Sequence, residues 1–187
     1  MKEAGAQPLF VSTTVGLDEF NYAIHAIETI CSFITSSPTS CRFMGESKVS
    51  EGCVAENYYI KFESGASAVC TSLKGKFVYF NTTVVTDNES VGDFCFTIDN
   101  SKFYKAMLDE VCNELEGLEN NLIPVSKMVE AIKILLAGTA SKLTGGIEVS
   151  LDSPLLEVTS FDGNEFEKGY AAAARKAAEA AKKAAKK

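Results

Sequence analysis

Asp93–Val111, DFCFTIDNSKFYKAMLDEV, is the stretch from which the rest of the chain is read. Phe94, Phe96 and Ile98 alternate with Cys95 and Thr97, the period-two signature of a half-buried strand. Asp99, Asn100 and Ser101 follow as turn and N-cap candidates, because their short side chains accept hydrogen bonds from the orphan amides of a helix start. Phe103, Met107, Val111 and Leu115 then recur at helical spacing, with Lys102, Lys105 and Asp109 on another face. A strand therefore runs through a short cap into an amphipathic helix.

The N-terminus repeats this grammar. Leu9–Val15 reads as a strand, Asp18 as a cap, and Phe20, Ile24, Ile27, Cys31 and Ile34 as a helical stripe ending at Ser36-Ser37-Pro38. At an offset of 83, Val11 falls on Phe94, Phe20 on Phe103 and Ile24 on Met107. Between the two units, Cys41–Met44 reads as a short strand and Gly45–Gly52 as a turn. Tyr58–Glu63, Ala68–Leu73 and Phe77–Thr86 read as a three-strand antiparallel meander punctuated by Ser64-Gly65 and Lys74-Gly75-Lys76. A third helix opens at Pro124 and Ser126 and ends near Gly138. Ile147–Leu151 and Leu155–Ser160 read as a hairpin. The expected fold class is α+β: an antiparallel sheet in two strand–helix–strand halves, residues 9–86 and 93–168, after a leader at 1–8. Residues 169–187 form a basic Ala/Lys-rich helical tail.

With 187 residues, 46% of them hydrophobic and twelve Phe, the chain can bury a real core. No apolar run reaches the roughly 18–20 residues of a membrane span, and the leader has no secretory h-region. Six cysteines without a CxxC pair, beside a single His, read as reduced thiols in a cytoplasmic setting rather than as disulfides or a zinc site. No metal and no cofactor are expected. His25 lies mid-helix among Ala23, Ile24, Ala26 and Ile27 and reads as a packed or partly exposed helix histidine. No GxSxG elbow, P-loop or G-x-G-x-x-G occurs. No catalytic residue stands out, and the expectation is a non-enzyme.

The net charge of −7 is unevenly spread: residues 168–187 carry seven basic groups against Glu179 alone. On a helix, Arg175, Lys176, Lys182, Lys183, Lys186 and Lys187 would share one stripe with alanine behind it. With Lys102 and Lys105, these are the candidate contacts to the phosphates of duplex DNA, binding with strong salt dependence and little sequence preference.

FVSTTVGLDEFNYAI and DFCFTIDNSKFYKAML at the strand-to-helix starts, with YYIKFESGASAVCTSL and GIEVSLDSPLLEVTS as the hairpins after each helix, together resemble one domain of a DNA sliding clamp. The hairpins match again at an offset of 87 (Ile60 on Ile147, Phe62 on Val149). The resemblance implies a ring-forming homo-oligomer around duplex DNA, a processivity or tethering factor in replication, and no catalysis. The alternative is a viral or cellular assembly subunit whose C-terminal helix packs on neighbouring subunits.

Overall fold

The computed structural model describes residues 5–16, 22–98, 103–158, 163–164 and 167–168. Its elements are β1 (Pro8–Gly16), α1 (Ile24–Phe33), β2 (Pro38–Ser50), β3 (Cys53–Phe62), β4 (Ser67–Lys74), β5 (Asn81–Thr86), β6 (Phe94–Thr97), α2 (Phe103–Leu115), α3 (Val125–Leu143), β7 (Val149–Ser150) and α4 (Leu155–Val158). The strands form one seven-stranded sheet in the order β6-β5-β1-β4-β3-β2-β7. Every pairing is antiparallel except β1 with β4, which run parallel. The α+β class with a mostly antiparallel sheet is therefore as expected.

Alternation along the strands separates two faces. Val11, Val15, Ile60, Ala68, Cys70 and Val84 are buried and belong to one cluster with Ala26, Ile27 and Ile30 of α1 and Ala131, Ile134 and Ala137 of α3. The other face carries a polar row that the register aligns across five strands: Asn57, Thr71, Thr14, Asn81 and Thr97. Thr71 donates to Asn57 at 2.8 Å and Asn81 to Thr97 at 3.4 Å. One apolar and one polar face is what an antiparallel sheet with helices on one side requires.

Several expectations are corrected. The Tyr58–Thr86 meander does not exist as such: β1 lies between β4 and β5, so residues 75–80 must cross over the end of β1 instead of making a hairpin. Gly45–Gly52 is not a loop. It belongs mostly to the thirteen-residue β2, whose register shifts at Phe43/Gly45, with Gly45 at φ 115°. The third helix runs through Gly138 to Leu143. The expected C-terminal hairpin is a two-residue strand, β7, followed by the helical turn α4.

The apolar stripe of α2 does not enter the core: Met107, Leu108 and Leu115 are exposed, Leu115 at 81%. Finally, β6 and β7, which belong to the expected second half, sit at opposite edges of a single sheet. That order is not the pair of equivalent halves a clamp domain requires.

Candidate functional site

β1 and β4, the parallel pair, end side by side at Gly16 and Leu73. Carboxyl ends of parallel strands are where α/β-type sheets gather ligands, because the chain leaves there in loops that can carry side chains over the sheet edge. Two connections leave this end, residues 17–23 toward α1 and residues 75–80 toward β5. The second is held tightly. A Cβ at Gly16 would lie 2.2 Å from the Lys76 carbonyl oxygen and 2.4 Å from the Val78 nitrogen, so only glycine lets the loop cross β1. Gly75 has φ 83° and backs onto the Gly52 carbonyl, which fixes the start of the loop. Its end is fixed by Phe80, which is buried and accepts a backbone hydrogen bond from Ile98 at 3.0 Å.

Phe80 meets His25, in the first turn of α1, edge-on: the ring centroids are 6.4 Å apart and the planes 70° to each other. His25 Nδ1 lies 2.8 Å from the Glu28 carboxylate, one helical turn on. That hydrogen bond raises the His25 pKa above its ordinary 6.5, desolvation opposes it, and the Glu28 charge adds to it. The backbone below is secured by Ala26, Ile27 and Ile30 in the core and by Thr29 Oγ1 donating to the His25 carbonyl at 2.8 Å. His25 was expected to be an unremarkable helix histidine. The i, i+3 carboxylate was the signal in the sequence, but only the 75–80 crossing brings both to the end of the parallel pair.

The other polar clusters are structural. Glu56, 1% exposed, accepts hydrogen bonds from Lys142 and Tyr58 and ion-pairs with Lys74 at 2.8 Å. On the polar face Glu148 accepts from Lys61 and Ser40, both at 2.7 Å, which holds its carboxyl below the usual range. Among the described residues no group of three or more His, Cys, Asp or Glu is arranged to hold a metal ion. All six cysteines are free thiols. No helix among the described residues is long and apolar enough to cross a membrane.

Of the lysines and arginine expected to contact DNA, Lys105 is exposed on α2 and paired with Asp109. Lys102, Arg175, Lys176, Lys182, Lys183, Lys186 and Lys187 lie outside the described residues. On α3, Lys127 pairs with Glu130 and Lys133 with Asp152. The described helices thus bring no stripe of uncommitted cations together.

No family model matches the chain, and no curated protein is similar to it in sequence. Solved structures do share its fold. A myo-inositol dehydrogenase from Lactobacillus casei, in complex with NAD(H) and myo-inositol, superposes with a TM-score of 0.61 at 10% identity, over 79% of this chain and 55% of its own. A scyllo-inositol dehydrogenase from the same organism gives 0.58 at 14%, over 79% and 56%. A putative NADPH-dependent oxidoreductase from Desulfitobacterium hafniense gives 0.54 at 10%, over 80% and 58%. The chain thus spans a little over half the length of the structures it resembles.

This overturns the sliding-clamp resemblance. The fold recurs in dehydrogenases, and the inference to a DNA-encircling replication factor, with duplex DNA as its partner, loses its ground. The expectation of a non-enzyme, drawn from the absence of a GxSxG elbow, a P-loop, a G-x-G-x-x-G turn and any residue standing out as catalytic, is corrected as well, because the solved structures that share the fold are dehydrogenases.

The NAD(H) of the myo-inositol dehydrogenase structure does not fit the residues here. A nicotinamide dinucleotide needs a strand, a glycine-rich turn and a helix N-terminus donating amides to the pyrophosphate. No two glycines in the sequence are spaced two apart. The one adjacent pair, Gly145-Gly146, follows the C-terminus of α3, the wrong end for an anion. The parallel β1–β4 pair sits in an otherwise antiparallel sheet.

Proposed function

We propose that the chain forms the substrate-side α+β domain of an oxidoreductase, with His25 as the group that exchanges a proton with a substrate hydroxyl. The observation that carries this reading is the position of His25: at the carboxyl end of the parallel β1–β4 pair, hydrogen-bonded to Glu28 and beside the Phe80 ring. A general acid–base group works best with a pKa near the operating pH, and histidine is the side chain closest to that condition. With Nδ1 engaged by the carboxylate, Nε2 is the nitrogen left to meet a substrate.

The substrate class follows from the similar structures, two of which are named for inositols. A cyclic polyol presents several secondary hydroxyls, and one of them would be held against Nε2. The described residues offer a dinucleotide no cradle, so the reading assigns them the substrate side of the reaction only. Six free thiols suit a reducing, cytoplasmic compartment.

Because the sequence has a single histidine, one imidazole resonance reports the site. Titrating the protein with myo-inositol, scyllo-inositol and UDP-N-acetylglucosamine should shift that resonance saturably for at least one of them. NADH should show no saturable binding to residues 1–187. An imidazole unmoved by the whole panel, or tight NADH binding by this chain, would overturn the assignment.

A further inference from the structure

We infer that Glu28 is the positioning residue of this site: its carboxylate accepts a hydrogen bond from Nδ1–H of His25, setting the ring's orientation and tautomer and leaving Nε2 as the proton-exchanging atom. The inference rests on the reading of His25 as the acid–base group and adds a second residue to it.

The geometry is built from two sides. Glu28 follows His25 by three residues on α1, so both side chains lie on one helix surface, and their contact is 2.8 Å. Phe80 lies beside the imidazole, the ring centroids 6.4 Å apart and the planes at 70°. Phe80 cannot retreat, because it is buried and bonded to Ile98, and the loop that carries it is clamped against Gly16. The imidazole, 60% exposed, is oriented by a hydrogen bond at one nitrogen with an aromatic ring beside it. In neutral histidine one ring nitrogen donates and the other accepts. A carboxylate can only accept, so the proton belongs on Nδ1 and the lone pair on Nε2.

The electrostatics agree. Glu28 supplies both influences that raise the His25 pKa, the hydrogen bond first and the charge last, while partial burial lowers it. The loop side presents Phe80, which carries no charge. Among the described residues, Glu28 is the group whose hydrogen bond and charge raise the His25 pKa.

If the contact did not persist in solution, the imidazole's titration and tautomer would not depend on residue 28. Nitrogen-15 and proton spectra of the single histidine decide between the two. In the unsubstituted protein the neutral ring should be the Nδ1–H tautomer, with a midpoint above 6.5 that falls as salt screens the carboxylate. In Glu28→Ala the midpoint should drop to 6.5 or below, because only burial then acts, and the Nε2–H tautomer should appear. Glu28→Asp should restore part of the shift. An unchanged midpoint and tautomer in Glu28→Ala would overturn the inference. So would a neutral Nε2–H ring, or a salt-independent midpoint, in the unsubstituted protein, measurements that need no variant to fold. The polyol titration separates the two claims: a Glu28→Ala protein with unaltered imidazole behaviour that still shifts with inositol would sink the role of Glu28 and leave that of His25 standing.

Discussion

Glu56 is the one acidic side chain that the described core swallows, and its neighbourhood sets a measurable stability. It sits on β3 at 1% exposure, between Lys74 at the end of β4 and Lys142 near the end of α3, with the Tyr58 hydroxyl donating at 2.6 Å. Lys142 also lies 5.5 Å from the centre of the Phe43 ring on β2. One carboxylate therefore ties α3 to β3 and β4, and Lys142 extends the contact to β2. Each lysine supplies a charge-assisted hydrogen bond worth about 1.5–3 kcal/mol. Both lysine side chains are about one-third exposed, which pulls the value toward the lower end through solvent screening.

Lys142→Met should therefore cost roughly 1.5 kcal/mol. Lys74→Met with Lys142→Met should cost more than the sum, about 3–5 kcal/mol, because it strips both cations from a buried charge. For a chain of this size that corresponds to a loss of about 6–20 °C in melting temperature. Adding Glu56→Met to the double variant should recover most of the loss, since an apolar side chain of similar volume has no charge to leave stranded. Urea unfolding of the parent and the three variants measures this directly. A double variant less than about 1 kcal/mol below the parent, or a triple variant no more stable than the double, would refute the account.

Gly138→Ala sets helix propensity against packing. Alanine should gain roughly 1 kcal/mol in a helix interior, but its Cβ would lie 2.9 Å from Cδ1 of Tyr58 and 3.4 Å from the Cys41 sulfur. Overpacking of about 1–3 kcal/mol should win, and a stabilised variant in thermal unfolding would contradict that order. Thiol reactivity should divide the cysteines by burial. Cys41 and Cys70 have pKa values pushed up to about 12 by burial, so at pH 8 only about one in ten thousand is thiolate. Cys95 and Cys112 are exposed. A disulfide reagent should modify two thiols of the native protein quickly and all six only in denaturant; fast reaction of Cys41 or Cys70 would show the core opening far more readily than its packing implies.

Local pattern carried much of the fold. The alternation in Phe94–Thr97, the stripe of α1 and the β-rich run before Glu63 each specified an element, because propensity and burial act there in the same direction. The errors came where a long-range contact decided. β2 was cut short at Gly45, since nothing in the sequence tells a bulged strand from a turn. Gly138 read as a helix end, yet it is glycine because Tyr58 of β3 packs on it. The stripe of α2 marks an amphipathic helix, but amphipathicity says only that a face excludes water, not where its cover lies, and Met107 and Leu115 are exposed. The site failed for a related reason. His25 and Glu28 were in plain view at i, i+3, but without the crossing loop they were indistinguishable from any solvated helix pair.

That crossing is the key to both the topology and the site. A simple antiparallel meander would place β5 beside β4, with a short hairpin between them and the end of the sheet left bare. Inserting β1 between them forces residues 75–80 to span a strand's width at the carboxyl end of the parallel pair. The span is possible only because Gly16 offers no Cβ to the passing backbone. Its cost is the strictness of that one position. Its consequence is that Phe80 is delivered to the first turn of α1 at a fixed angle. The same insertion that misled the strand order is therefore what turns an ordinary helix histidine into an oriented one, and Gly16 and Phe80, distant in sequence, belong to the site as much as Glu28 does.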